Sequence, residues 1–96
     1  MINVEEVNTI TRNVWFERIE SGEQKAEEAL PIIERCIVKA AQAGTYHTTL
    51  HIFNIRQCTE LEEENAYLHK IESVLKESGF QTEFKPEART LFIRWM

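Results

Sequence analysis

The stretch Leu75–Trp95, LKESGFQTEFKPEARTLFIRW, decides the fold. It begins as the end of an amphipathic run, reaches Gly79 and then changes period. Phe80, Thr82 and Phe84 alternate with Gln81, Glu83 and Lys85; after a loop from Lys85 to Arg89 that contains Pro86, Leu91, Ile93 and Trp95 alternate with Thr90, Phe92 and Arg94. A helix that must stop commonly does so on a left-handed residue, and glycine adopts that conformation without a Cβ clash. Two runs of period two around a short loop read as a β-hairpin.

Toward the N-terminus the same logic repeats. The run from about Glu60 to Ser78 carries Leu61, Leu68, Ile71 and Leu75 on one stripe, flanked by Tyr67 and Val74, and Thr59 with Glu62 reads as a capping box at its start. Tyr46 to Ile55 is rich in β-branched and aromatic residues and reads as a strand. Gly44 closes a helix from about Glu23 to Ala43, with Ala26, Leu30, Ile33, Ile37, Ala40 and Ala41 as its buried stripe. Pro31 lies inside that run, lacks the amide donor and crowds the preceding turn, so a kink or a split is expected there. Ser21-Gly22 reads as a breaker. Before it, Val4, Val7, Ile10 and Val14 mark a first helix over Val4 to Ile19, capped by Asn3 and with Glu5 and Glu6 in the first turn, where the dipole favours negative charge. Trp15 and Phe16 are adjacent, so one is expected under the next helix and the other at a rim.

These elements predict an α+β fold of order ααβαββ, with helices on one face of a small, mostly antiparallel three-stranded sheet. The first strand, the third helix and the second strand form a crossover. If the last strand inserts antiparallel between the other two, the sheet order is 1-3-2. The 96 residues make one domain, 1–96, with 43% hydrophobic and 28% charged residues, ordinary values for a soluble globular chain. A domain of this size has modest stability, which a homodimer would relieve.

The formal net charge of −5 argues against non-specific binding to a phosphate backbone, so nucleic acid is not an expected partner. No apolar stretch approaches a membrane span, and Met1 to Val7, with two glutamates, does not read as a secretory signal, so a reducing cytoplasm is expected. Cys36 and Cys58 are then expected as free thiols.

The segment Ile37-Val38-Lys39-Ala40-Ala41-Gln42-Ala43-Gly44 followed by the β-rich run Tyr46 to Phe53, with Leu75 to Phe80 and the terminal Ile93-Arg94-Trp95, resembles small proteins of tailed bacteriophages of unassigned function. The resemblance spans Leu30 to Trp95; Pro31 and the loop Asn54 to Cys58 are outside the pattern. It implies a phage product acting in the host bacterial cytoplasm, and proteins of this size and kind often bind and block a host protein. It carries over no catalytic residue.

Read residue by residue, the chain offers little chemistry. His47 and His51, four apart on the expected strand, would share a face, but a metal needs further ligands and none is placed beside them. Cys58 precedes a helix N-terminus, which favours a thiolate, while Glu62-Glu63-Glu64 opposes one. The three scattered glycines make no phosphate loop. Neither a metal nor a cofactor is expected, and the chain is read as a non-enzyme. Strand parity gives the best lead. With Leu50, Ile52, Phe80, Phe84, Leu91, Ile93 and Trp95 facing the helices, the opposite face holds His47, Thr49, His51, Phe53, Glu83, Lys85, Phe92 and Arg94. Of these, His47, His51, Phe53, Lys85, Phe92 and Arg94 are the candidate binding residues for a protein partner, in an inhibitor of a host or defence factor. The alternatives are a binder that sequesters a small molecule or nucleotide in a concave pocket, and a minor virion component.

Overall fold

A computed structural model of the chain describes residues 1–95, and the side chains of all of these except Phe53 and Asn54. The elements are α1 (Val4–Gln42), β1 (His47–Leu50), α2 (Ile52–Ile55), α3 (Leu61–Glu77), β2 (Gln81–Lys85) and β3 (Thr90–Arg94). The fold is α+β, with strand order β1-β3-β2 and β3 antiparallel to both neighbours. Register pairs His47 with Arg94, Thr49 with Phe92 and Leu50 with Leu91 on one side of β3. On the other side Gln81 pairs with Arg94, Glu83 with Phe92 and Phe84 with Leu91. The sheet order and inward parity of the hairpin are those the sequence implies.

Both helix stops are also as expected. Gly44 and Gly79 adopt φ of 88° and 93°. At each the backbone closes a Schellman motif: Thr45 N–H donates to the Ala40 carbonyl (3.1 Å) and Phe80 N–H to that of Leu75 (2.9 Å). Asn3 caps α1 by accepting from the Glu6 amide at 2.9 Å.

Four expectations need correction. First, the two N-terminal helices are one: α1 runs 39 residues through Ser21, Gly22 and Pro31. Gly22 is not a breaker. It is buried against α3, where a Cβ would sit 2.2 Å from the Glu63 carbonyl oxygen, so glycine is there for close approach. Pro31 is exposed, so the Glu27 carbonyl left without an amide donor lies on the solvent side of a helix whose other face is fixed by burial of Ala29 and Ile33. Second, the strand at Tyr46 ends at Leu50, and Ile52–Ile55 coils into a single helical turn. Burial of Ile52, and donation from the Tyr67 hydroxyl to its carbonyl at 2.8 Å, reward the turn more than another strand pair would. Third, α3 begins after Glu60, which makes no side-chain cap bond, so Thr59 and Glu62 form no capping box; Leu61, expected in the stripe, is exposed. Fourth, Val4, Val7, Ile10, Val14, Trp15 and Phe16 are all exposed, so neither aromatic lies beneath another helix.

The core lies between the inner sheet face, α1 from Ala26 onward, and α3. It contains Ala26, Ala29, Ile33, Ile37, Ile52, Tyr67, Ile71, Leu75, Leu91 and Ile93. Phe80 and Trp95 meet edge to face at its border, with centroids 6.2 Å apart. The sole strongly buried carboxylate among the described residues, Glu63, pairs with Lys25, whose ammonium also donates to the Gln57 carbonyl at 2.9 Å. That arrangement ties the α2–α3 loop to α1. Arg18 completes the junction by reaching Glu60 (3.8 Å) and Glu62 (3.2 Å) where α3 starts. N-terminal to Arg18 every residue of α1 is exposed, with no neighbour among the described residues outside the helix, and the molecule measures 65 × 25 × 18 Å.

Candidate functional site

The outer sheet face is built by β3 at its centre. A β-strand turns successive side chains to opposite faces, so burial of Leu91 and Ile93 sends Phe92 and Arg94 outward. Antiparallel register then sets His47 and Gln81 on either side of Arg94, and Thr49 and Glu83 on either side of Phe92. The Arg94 guanidinium donates to the Gln81 amide oxygen, through Nε at 2.9 Å and through a terminal nitrogen as well. The His47 ring lies 5.5 Å from that of Phe92, tilted by 31°. Gln81, Thr82, Glu83, Phe92 and Arg94 line a hollow of about 170 Å³. Phe92 is half-buried, while His47, Glu83, Lys85 and Arg94 are exposed. The face is thus a half-exposed aromatic ring with three cationic or cation-forming side chains and one carboxylate about it.

Of the six residues picked from the sequence, the fold brings His47, Phe92 and Arg94 together and keeps Lys85 on the same face, at the hairpin end of β2 opposite Thr90. His51 does not join them. His51 follows β1 and occupies the N-cap of α2, so it does not share a strand face with His47. Phe53 is in the α2 turn, and its side chain falls outside the described residues. The pairing of two histidines on one strand disappears with the shortened strand. Among the described residues no three of His, Cys, Asp and Glu are grouped to hold a metal ion.

Cys58 and Cys36 are free. Burial and the neighbouring Glu63 carboxylate push the Cys58 thiol up to about 11, and Lys25 opposes this only in part. Burial, reinforced by the carboxylates, therefore sets the thiol, and at neutral pH Cys58 is not the thiolate a nucleophile requires. Tyr67, in the same region, is also raised by burial, in keeping with a structural hydroxyl that donates to a carbonyl.

A second feature was not picked out from the sequence as a surface. The N-terminal half of α1 carries Val4, Val7, Ile10, Val14, Trp15, Phe16 and Ile19, all exposed. The stripe was visible as a helical repeat. What was missing was the knowledge that α3 would start beside Arg18 and leave everything before it uncovered. The small residues Gly22, Ala26 and Ala29, spaced by four and three, were the signal that helix contact begins there.

An open groove of about 580 Å³ runs between α3 and the β2 edge, lined by His69, Glu72, Ser73, Lys76, Gly79, Phe80, Gln81 and Thr82. No helix of the described residues is long and apolar enough to cross a membrane. No protein-family model, curated protein or solved structure shows a significant match to this chain.

Proposed function

We propose that the protein is a non-enzymatic interaction module that engages a protein partner through the outer face of its sheet. The observation that carries this reading is the arrangement of Phe92 with His47 and Arg94 on a face opposite the helices. An aromatic side chain ringed by polar and charged groups has the composition of a recognition patch, in which arginine and aromatic residues supply most of the energy. The adjoining hollow of about 170 Å³ is smaller than the roughly 300–1,000 Å³ typical of small-molecule sites, which favours a protein over a metabolite there. The resemblance of Leu30 to Trp95 to phage proteins supports the finer reading, an inhibitor of a host or defence factor in the bacterial cytoplasm.

The test is affinity capture from host lysate with the unmodified chain and with Phe92→Ser/Arg94→Glu. The reading expects one host protein retained in a stable stoichiometry and lost with the variant. Equal retention by both, or none by the unmodified chain, refutes it. A second reading, sequestration of a small molecule or nucleotide, is favoured by the groove between α3 and β2, where His69, Lys76 and Phe80 supply two basic groups and a ring. A thermal-shift panel of nucleotides decides it: a shift abolished by Lys76→Glu supports sequestration, and no shift with any nucleotide removes it.

A further inference from the structure

The stripe that α3 covers along the second half of α1 continues, uncovered, to its first turn. Val4, Val7, Thr11, Val14, Arg18 and Gly22 are three or four residues apart and share one face with Ala26, Ala29 and Ile33. From Gly22 onward that face is buried on α3 and the sheet; before Arg18 it is exposed and meets none of the other described elements. Val4 is 74% exposed and Trp15 50%, with Ile10 on the flank of the same face at 56%. The uncovered length, Val4 to Arg18, is about 22 Å at the α-helical rise. It is a helix arm long enough to pair and too apolar to be a solvated one.

We propose that this arm is the pairing surface for a second copy of the chain, the two arms lying antiparallel across a two-fold axis near Thr11. Area argues for the copy. Val4, Val7, Ile10, Val14 and Trp15 together expose on the order of 450 Å² of apolar side chain, at the upper end of what a monomer leaves in one patch. With the roughly 65% apolar share of homodimer interfaces, that corresponds to about 700 Å² per copy and about 1,400 Å² in total, inside the range of stable dimers. Charge argues for the direction. Parallel arms would stack Glu5 and Glu6 of one copy on those of the other, at two helix N-termini of the same sign. Antiparallel arms separate the two acidic tips by the length of the pair and oppose the helix dipoles. They also place the two folded bodies at opposite ends, and Val7 of each copy falls beside Val14 and Trp15 of the other. The inference does not depend on the outer sheet face, which the arms leave free.

Molecular mass in solution tests it. The expected mass of the unmodified chain at about 100 µM is twice the 11.3 kDa of one chain. Val7→Glu/Val14→Glu changes only exposed side chains, so the body should stay folded by circular dichroism while the dimer dissociation constant rises by about 100-fold or more, because two charges per arm would lose water without a partner. A Thr11→Cys chain should form an interchain disulfide under mild oxidation, and a Val4→Cys chain should not. A monomer at 100 µM, a dimer that survives Val7→Glu/Val14→Glu, or a cross-link at Val4 and not at Thr11 would each overturn the proposal. So would a stripe covered only when a different protein is added. Phe92→Ser/Arg94→Glu should leave the mass unchanged, which separates failure here from failure of the sheet-face reading.

Discussion

Substituting Gly22 by alanine pits two known effects against each other, and the structure says which wins. In an exposed helix interior the change stabilises, because alanine is favoured over glycine by about 1 kcal/mol. At Gly22 the new methyl would lie 2.2 Å from the Glu63 carbonyl oxygen and 3.0 Å from the Ala66 Cβ. The first distance is more than 1 Å inside ordinary contact, and backbone cannot swing aside as a side chain can. Glu63 is also held through its side chain to Lys25, so α3 cannot yield locally. The two helices must separate by about 1 Å, and a gap of that size forfeits a quarter to a half of each dispersion contact across it. Overpacking of this kind costs about 1–3 kcal/mol, and because backbone is struck the upper part of that range applies. Net of the propensity gain, Gly22→Ala should destabilise by about 2 kcal/mol, which for a domain of this size lowers the thermal midpoint by roughly 10 °C. Urea denaturation at one fixed protein concentration reads it directly. Gly44→Ala is the control: nothing lies within 4 Å of its Cβ, and only φ of +88° opposes the change, at about 1 kcal/mol. If Gly22→Ala raised stability, the close approach of α1 to α3 at Glu63 would be refuted.

Three further outcomes follow from the core and its edge. Tyr67→Phe removes the shorter of two donors to the Ile52 carbonyl, leaving the Arg56 N–H at 3.4 Å, and should cost about 0.5–1.5 kcal/mol in chemical denaturation; a negligible loss would mean that water or the Arg56 amide replaces the hydroxyl. Lys25→Ala leaves the Glu63 carboxylate buried without its cation and frees the Gln57 carbonyl, and should cost roughly 1–3 kcal/mol, discounted because the lysine itself is partly exposed. Cys58 should react slowly with a thiol reagent at pH 8 and faster only toward pH 11. Its folded pKa lies above the 9.0 of the free thiol, so between pH 9 and 11 the folded state holds a proton that the unfolded state has released. Stability therefore falls with rising pH across that window, and Cys58→Ser should flatten the fall.

Much of the sheet was legible in the sequence because its rules are local. Alternation around Lys85–Arg89 puts Leu91 and Ile93 inside and Phe92 and Arg94 outside whatever else the chain does, and Gly44 and Gly79 end helices for a reason internal to their own backbone. The candidate site was legible where it rests on that parity, at His47, Phe92 and Arg94. It failed at His51, and the strand expected to carry Phe53 ended earlier, because the length of β1 is not a local property. The pattern continues past Leu50, yet Ile52 gains more from burial and from Tyr67, fifteen residues away, than from one more strand pair.

The amino-acid sequence by itself determined periods, helix stops and strand parity, all consequences of backbone sterics acting over a few residues. Only the tertiary structure decided that Gly22 is a contact and not a break, that Pro31 leaves α1 whole, and that α3 begins beside Arg18. Those outcomes depend on which surfaces meet, and a helical stripe looks the same in sequence whether its partner is present or missing. The uncovered arm from Val4 to Arg18 follows from that: its apolar face was plain in the sequence, and only packing could reveal that none of the described residues outside the helix covers it.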